Sequence, residues 1–88
     1  MEVILSAHAV FEAKRRDIDE KLIQSMVMEP QQKISSKKWR VVVQGRYFDH
    51  IENKEMLLRI IGKETPDKFE VITIYKTSKI KKYWMEGE

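Results

Sequence analysis

The chain has 88 residues, which is enough for one domain but leaves no room for a second hydrophobic core. It contains no cysteine, which excludes disulfides, zinc ribbons and thiol catalysis, and no apolar run approaches the roughly 20 residues that a membrane span needs. Its formal net charge is +3, from 17 Lys and Arg against 14 Asp and Glu, so a polyanionic partner is favoured only where the cations cluster. Because the N-terminus also lacks a signal-peptide pattern, we expect a single cytoplasmic domain over residues 1–88 and no membrane partner.

The first third of the chain predicts two short helices. Ser6 is suited to cap the first, because its hydroxyl can accept an orphan backbone N–H, and apolar residues recur at helical spacing over residues 7–16. Asp19 can cap a second helix, which ends before Pro30 because the residue preceding a proline is pushed out of the helical region. The short connection predicts a helical hairpin. The preceding segment, Val3–Leu5, fits either an edge strand or a lead-in.

After Pro30 the apolar period changes from 3.6 to 2, which predicts strands. A short strand is expected near residues 33–36, and a clearer one over 39–48 with a bulge or bend at Gly45. Residues 55–63 fit a helix or a strand, and we favour a strand because another strong strand follows over 68–76. The last lysine-rich segment is either a helical turn or an extended tail.

Two helices followed by three or four strands predict an α+β fold, with both helices packed on one face of an antiparallel sheet. In the last strand, Ile72 and Ile74 should face the helices, while Thr73 and Tyr75 should point to the opposite face. The same alternation places Arg59 in the preceding strand, and Arg40 in the one before it, on that face. A slip of one residue in register would reverse these assignments.

The stretch from Val71 to Trp84 joins a strand pattern to lysines and aromatic rings, with no acid among the lysines. Such interleaving is typical of single-stranded RNA binding, although a solvated tail or aromatic core anchors are the alternatives. Three arginines inside predicted strands, Arg40, Arg46 and Arg59, indicate either an anion-binding face or snorkelling at a sheet edge. The RNA-binding candidates are therefore Arg40, Arg46, Lys76, Lys81, Lys82, Tyr83 and Trp84.

His8 is the first candidate for chemistry, because it falls in the first turn of a helix, where the dipole disfavours added positive charge. A neutral imidazole there could act as a general base on a ribose 2′-hydroxyl, or it could simply hydrogen-bond to a strand. Arg16 could clamp a phosphate or pair with Glu12. No metal site is predicted, since His50 is the only other imidazole and no carboxylate cluster accompanies either histidine.

Two segments of the chain resemble a small bacterial and archaeal family of uncharacterised domains. Its members open with Ser-x-His-Ala-x-x-Arg-x-x-x-Arg-Gly-Ile, and this chain has Ser6-Ala7-His8-Ala9 followed by Arg16-Asp17-Ile18. They close with a Val-x-Thr-x-Tyr strand, here Val71-Ile72-Thr73-Ile74-Tyr75. Glu12 and Asp17 stand where the family has its first arginine and its glycine. That family is grouped with RelE-like and barnase-like ribonuclease toxins, which pack two N-terminal helices against an antiparallel sheet.

The resemblance implies a toxin-type ribonuclease with its site on the exposed sheet face. We therefore predict one RelE-like domain that acts as an RNA-directed, metal-independent endoribonuclease without a cofactor. Its expected partners are RNA, for example mRNA on the ribosome, and a small antitoxin protein. The alternative is a non-catalytic RNA- or protein-binding module on the same fold. The catalytic candidates are His8, Arg16, Arg59, Thr73, Tyr75 and Lys79.

Overall fold

A computed structural model of the protein describes residues 1–86 and shows a five-stranded mixed sheet with three short helices. The sheet order is β1-β5-β4-β3-β2. No helix within the described residues is long and apolar enough to cross a membrane. In chain order the elements are β1 (Glu2–Leu5), α1 (Ala7–Arg15), α2 (Glu20–Met28), β2 (Gln32–Ser35), β3 (Val41–Asp49), β4 (Lys54–Glu64), β5 (Lys68–Thr77) and α3 (Ile80–Tyr83).

The predicted architecture is wrong in its sheet. β1 pairs in parallel with β5, with Glu2 opposite Lys68 and Leu5 opposite Val71, so the sheet has five strands and is mixed rather than antiparallel. The arrangement of two N-terminal helices on an antiparallel sheet, and with it the RelE-like fold prediction, is therefore corrected. The four residues of β1 are too few to show a period, and a parallel partner is joined through a long crossover that local pattern cannot reveal.

Side-chain caps fix the starts of α1 and α2. The Ser6 hydroxyl accepts the Ala9 N–H at 3.0 Å and donates to the Ile72 carbonyl at 2.9 Å, which ties the start of α1 to β5. Asp19 accepts the Lys21 N–H at 2.8 Å and caps α2. Between the helices, Asp17 adopts a left-handed conformation with φ 54°, which aspartate tolerates better than most residues. The short polar break therefore produces the expected change of direction.

Both helices pack on one face of the sheet, which we call the helix face. In the core of this face, apolar residues of α1 and α2 pack against apolar residues of the central strands. This is expected where helices with an apolar residue every 3.6 positions cover strands with an apolar residue at every second position. The buried members of this cluster are Ala9, Ala13, Ile18, Ile23, Met26, Val27, Val43, Leu58, Ile60, Phe69, Val71 and Ile74.

A β-bulge changes the alternation of side chains along β5. The register pairs Ile61 with Thr73 but Gly62 with Val71, so Ile72 is the extra residue. As a result Val71, rather than Ile72, joins Ile74 in the core. Beyond the bulge, Thr73 and Tyr75 share the opposite face of the sheet, as the sequence predicts.

The third helix folds back onto that opposite face, which we call the α3 face. Gln44 follows the core residue Val43, so its side chain points away from α1 and α2, and its Nε2 donates to the Tyr83 carbonyl at 3.0 Å. The Gln32 side chain bonds both backbone groups of Met85, at 2.8 and 3.0 Å. The lysine-rich segment is therefore a docked helical turn that partly covers the α3 face.

Candidate functional site

Arg59 lies at the centre of a polar and aromatic cluster on the α3 face. Its Nε donates to Oε1 of Gln44 at 3.0 Å and its Nη1 to the Tyr75 hydroxyl at 2.7 Å. The guanidinium carbon lies 4.3 Å from the ring centroid of Tyr83. Within residues 1–86 no carboxylate forms an ion pair with Arg59. The cluster therefore carries a positive charge that is held by neutral groups, which suits it to an anion.

The two tyrosines of this cluster pack edge to face, with ring centroids 6.3 Å apart and an interplanar angle of 71°. The pKa of Tyr83 is lowered from its usual 10.0, chiefly by hydrogen bonding with Tyr75. Burial acts in the opposite direction, while Lys82 and Arg59 lower this pKa further. The Lys82 ammonium lies 5.3 Å from the centre of the Tyr83 ring. A phenol surrounded by cations is a better proton and hydrogen-bond donor than a free tyrosine.

More cations border this cluster along α3. A shallow pocket of about 560 Å³ is lined by Arg46, Glu55 and the segment from Ser78 to Lys82. Arg46 lies 5.1 Å from the centre of the Trp84 ring and donates to Oε1 of Glu55 at 3.2 Å. Lys79, Lys81 and Lys82 are exposed around the same pocket. This rim offers charge for phosphates and one ring, Trp84, for stacking.

His8 contacts Thr73, which puts a titratable ring beside the same strand. Its Nε2 lies 3.1 Å from Oγ1 of Thr73, and the imidazole is exposed. Thr73 and Tyr75 are two residues apart on one face of β5, which corresponds to about 7 Å. One strand therefore carries His8 with Thr73 and, next to them, Tyr75 with Arg59. These four predicted residues are brought together.

Arg16 is engaged elsewhere. Its Nε and Nη2 lie 3.0 and 2.9 Å from Oε1 of Glu12, and Arg15 holds the same carboxylate at 2.8 Å. The pKa of Glu12 is lowered from 4.5 to about 2, first by the hydrogen bond from Arg15 and then by the one from Arg16. Burial of the carboxylate opposes this change but does not outweigh it. Within residues 1–86 no hydrogen bond joins Arg16 to the Arg59 cluster. The sequence left open whether Arg16 pairs or binds phosphate, and in the structure it pairs.

Lys76 lies on the helix face, away from the other RNA-binding candidates. Its Nζ binds Oδ2 of Asp49 at 2.8 Å, and the two side chains are only 10% and 4% exposed. The Tyr47 hydroxyl donates to the same oxygen at 2.8 Å. Burial raises the pKa of Asp49, but hydrogen bonds from Lys76, the Glu52 amide and Tyr47 outweigh it and hold that pKa well below its usual range. Lys76 therefore acts in an internal ion pair.

Sequence reasoning missed the glutamines that organise the α3 face. Gln44 is fully buried and joins Arg59, Tyr83 and Gln32, to which its Nε2 donates at 2.8 Å. The sequence signal that could have revealed this role is Gln44 itself, a polar amide between Val43 and Gly45 at a position where an apolar strand residue is expected. Arg40 lies outside this network, and its Nε is buried with no hydrogen-bond partner within residues 1–86.

No group of three or more His, Asp or Glu side chains in the described part of the chain is arranged to hold a metal ion. Comparison of the chain with models of protein families, with curated proteins and with solved structures finds no match. The resemblance to ribonuclease toxins therefore stays a prediction.

Proposed function

We propose that the protein is an RNA-directed endoribonuclease that cleaves through the internal 2′-hydroxyl, with β5 as its catalytic strand. The observation that carries this proposal is the adjacency, on one strand face, of the His8–Thr73 contact and the Arg59–Tyr75 hydrogen bond. Cleavage of this kind requires a base, a proton donor and a cation at the phosphate, and these side chains supply all three.

In the proposed reaction His8 takes the proton of the 2′-hydroxyl as that oxygen attacks phosphorus. Arg59 stabilises the charge that develops on the phosphorane oxygens, and Tyr75 donates the proton that the 5′-oxygen needs as it leaves. The products are a 2′,3′-cyclic phosphate and a free 5′-hydroxyl, so the proton gained by His8 balances the one that Tyr75 gives up. Thr73 holds the imidazole at 3.1 Å and so orients it.

The rim of α3 is the proposed grip on the RNA backbone. Arg46, Lys79, Lys81 and Lys82 would each contact a phosphate, while Trp84 would stack on a base. Four such contacts on a single strand correspond to a salt slope of about −3. We further propose that the protein is the toxin of a toxin–antitoxin pair, which a small acidic protein encoded beside it would support.

A non-catalytic RNA- or protein-binding module is the second candidate, and a specific observation favours it. Arg16 is already bound by Glu12, and Arg59 is already bound by Gln44 and Tyr75. Arg16 must therefore exchange partners before it can stabilise a phosphorane, and Arg59 offers a phosphate only the N–H groups that Gln44 and Tyr75 leave free. A binding module requires no such exchange.

The test is incubation of the purified protein with a mixed RNA pool in EDTA, beside His8→Ala and Tyr75→Phe. We expect cleavage to fall by about 10²- to 10⁴-fold in His8→Ala, as for the loss of a general base. His50→Ala is the matched control, because this second histidine is exposed in the β3–β4 turn. Cleavage that persists in both site variants contradicts the mechanism, whereas binding without cleavage favours the second candidate.

A further inference from the structure

The turn between β2 and β3 (residues 37–40) has an unfavourable backbone for its sequence. Lys38 and Trp39 both have positive φ, 57° and 65°, and the Arg40 N–H donates to the Lys37 carbonyl at 3.2 Å. Two consecutive left-handed residues closed by this bond form a type I′ turn, whose central positions favour Asn and Gly. A lysine and a tryptophan are therefore strained there.

Packing does not compensate for this strain. The Trp39 side chain is 92% exposed, the highest value among the large hydrophobic residues. Within residues 1–86 its ring packs against no other aromatic ring and no cation. Residues held in strained backbone conformations cluster at active sites and at positions that contact ligands. An exposed ring on a rigid two-residue turn is also well placed to meet a partner.

The charge around Trp39 identifies the class of partner. Lys37 and Lys38 precede the ring and Arg40 follows it, and the chain from Pro30 to Phe48 contains no Asp or Glu. The β3–β4 register ends with Val41 opposite Gly62, so Lys63 and Glu64 are the next residues of β4 towards this turn, and Lys33 binds the Glu64 carboxylate at 2.6 Å. An exposed indole flanked in the chain by Lys37, Lys38 and Arg40 matches a polyanion that also presents flat rings, as single-stranded nucleic acid does.

We propose that this turn is a second RNA contact, at which Trp39 stacks on an unpaired base while Lys37 and Lys38 contact the neighbouring phosphates. The inference rests on the proposed function and extends its binding surface. A groove of about 640 Å³ between β2 and the segment from Trp84 to Glu86 lies alongside the strand that leads from the α3 rim to this turn. The ligand is a single strand, since the bases of a duplex are already stacked on one another.

Trp39→Gly is the decisive variant, because it should weaken RNA binding without lowering the stability of the fold. Glycine accepts φ 65° without strain, so the melting temperature should stay the same or rise. Affinity for a short oligoadenylate should fall by about 5- to 150-fold, the loss expected for one stacked base. Trp39→Phe should retain most of the binding, because it keeps a ring. Phe48→Ala, an exposed aromatic at the far end of β3, is the matched control.

Fluorescence in a Trp84→Phe background then reports on Trp39 alone, since the chain has two tryptophans. Oligoadenylate should quench this emission, whereas its duplex with oligouridylate and heparin, a polyanion without bases, should not. Quenching by anionic vesicles but not by oligoadenylate would overturn the inference.

The outcomes also separate this inference from the proposed function. If RNA is bound and cleaved by the wild type and Trp39→Gly changes neither, the second contact is wrong and the ribonuclease stands. If binding depends on Trp39 but no cleavage occurs, the contact stands and the ribonuclease falls. If the wild type binds no single strand, both are wrong.

Discussion

Replacing Lys76 with methionine should destabilise the protein strongly while leaving RNA binding unchanged. The change leaves the Asp49 carboxylate, which is 4% exposed, without its cationic partner. Removing one member of a buried ion pair costs about 3–5 kcal/mol, and Asp49 keeps the Tyr47 hydroxyl and two backbone N–H groups, so we expect about 3 kcal/mol. For a domain of this size that corresponds to a drop of roughly 12–24 °C in the melting temperature.

Thermal and urea unfolding measure the stability of the variant. RNA titrations at several salt concentrations, all at a temperature below its melting temperature, measure the salt slope of binding. Lys79→Gln is the matched control, only three residues away and exposed at the rim of the α3 pocket. It should change stability by less than about 0.5 kcal/mol but reduce the salt slope by about 0.7. The pair therefore assigns one lysine to the fold and the other to the ligand.

A Lys76→Met protein that loses less than about 1 kcal/mol of stability, yet binds RNA with a smaller salt slope, would refute this reasoning. It would mean that the ammonium reaches solvent and contacts phosphate. The double variant Asp49→Asn with Lys76→Met adds a check: it removes the unpaired charge but keeps an oxygen for the Ile51 and Glu52 N–H groups, so it should recover part of the lost stability.

Arg59→Leu should remove the hydrogen bonds to Gln44 and Tyr75 and so release the C-terminal segment from the sheet. Limited proteolysis should then cleave the segment that follows Ser78 faster than in the wild type. The free energy of unfolding should fall by about 1–3 kcal/mol. Glu12→Gln should reduce the acid sensitivity of the fold: the Glu12 pKa is about 2 when folded against 4.5 ordinarily, so its contribution is present above 4.5 and lost as the pH falls towards 2. The difference in melting temperature between about pH 6 and pH 3 should therefore be smaller in the variant, and an equal or larger difference would contradict the assignment. Gly62→Ala should destabilise by several kcal/mol in urea unfolding, because its Cβ would overlap the Glu70 carbonyl and the Phe69 ring.

The elements that sequence predicted well carry local chemical signals. Ser6, Asp19 and Pro30 mark the ends of the two helices through capping and steric exclusion, and the observed bounds agree to within about one residue. The alternation in residues 68–76 likewise predicted β5. These signals depend on near neighbours, which a single sequence displays directly.

The features that the sequence did not predict depend on contacts with residues far away in the chain. The sequence allowed an edge strand at Val3–Leu5, but not its parallel pairing with β5, which lies more than sixty residues further along the chain. The bulge at Ile72 exchanges which of two similar apolar residues is buried, so periodicity alone cannot locate it. Trp39 was predicted to open a strand, but the pairing of β2 with β3 places it in the turn.

The candidate site was predicted unevenly for the same reason. Thr73 and Tyr75, with their partners His8 and Arg59, lie next to each other on one face of β5 because strand alternation beyond the bulge is regular. The same alternation places Lys76 on the helix face. Its ion pair with Asp49 on that face depends on how β3 and β5 are arranged in the sheet, which the sequence does not show. Nothing local to residues 79–85 indicates that Gln44 and Gln32 hold that segment against the sheet.

The pairing of β1 with β5 also sets the order in which the molecule can be assembled during synthesis. Until residues 68–77 have left the ribosome, β1 has no neighbour, the long edge of β4 is unpaired and α1 lacks the strand that it chiefly covers. An unpaired strand edge beside exposed apolar helices is prone to aggregation. A nascent chain halted before Lys68 should therefore depend on chaperones, and the strand that bears the candidate site is also the one that completes the fold.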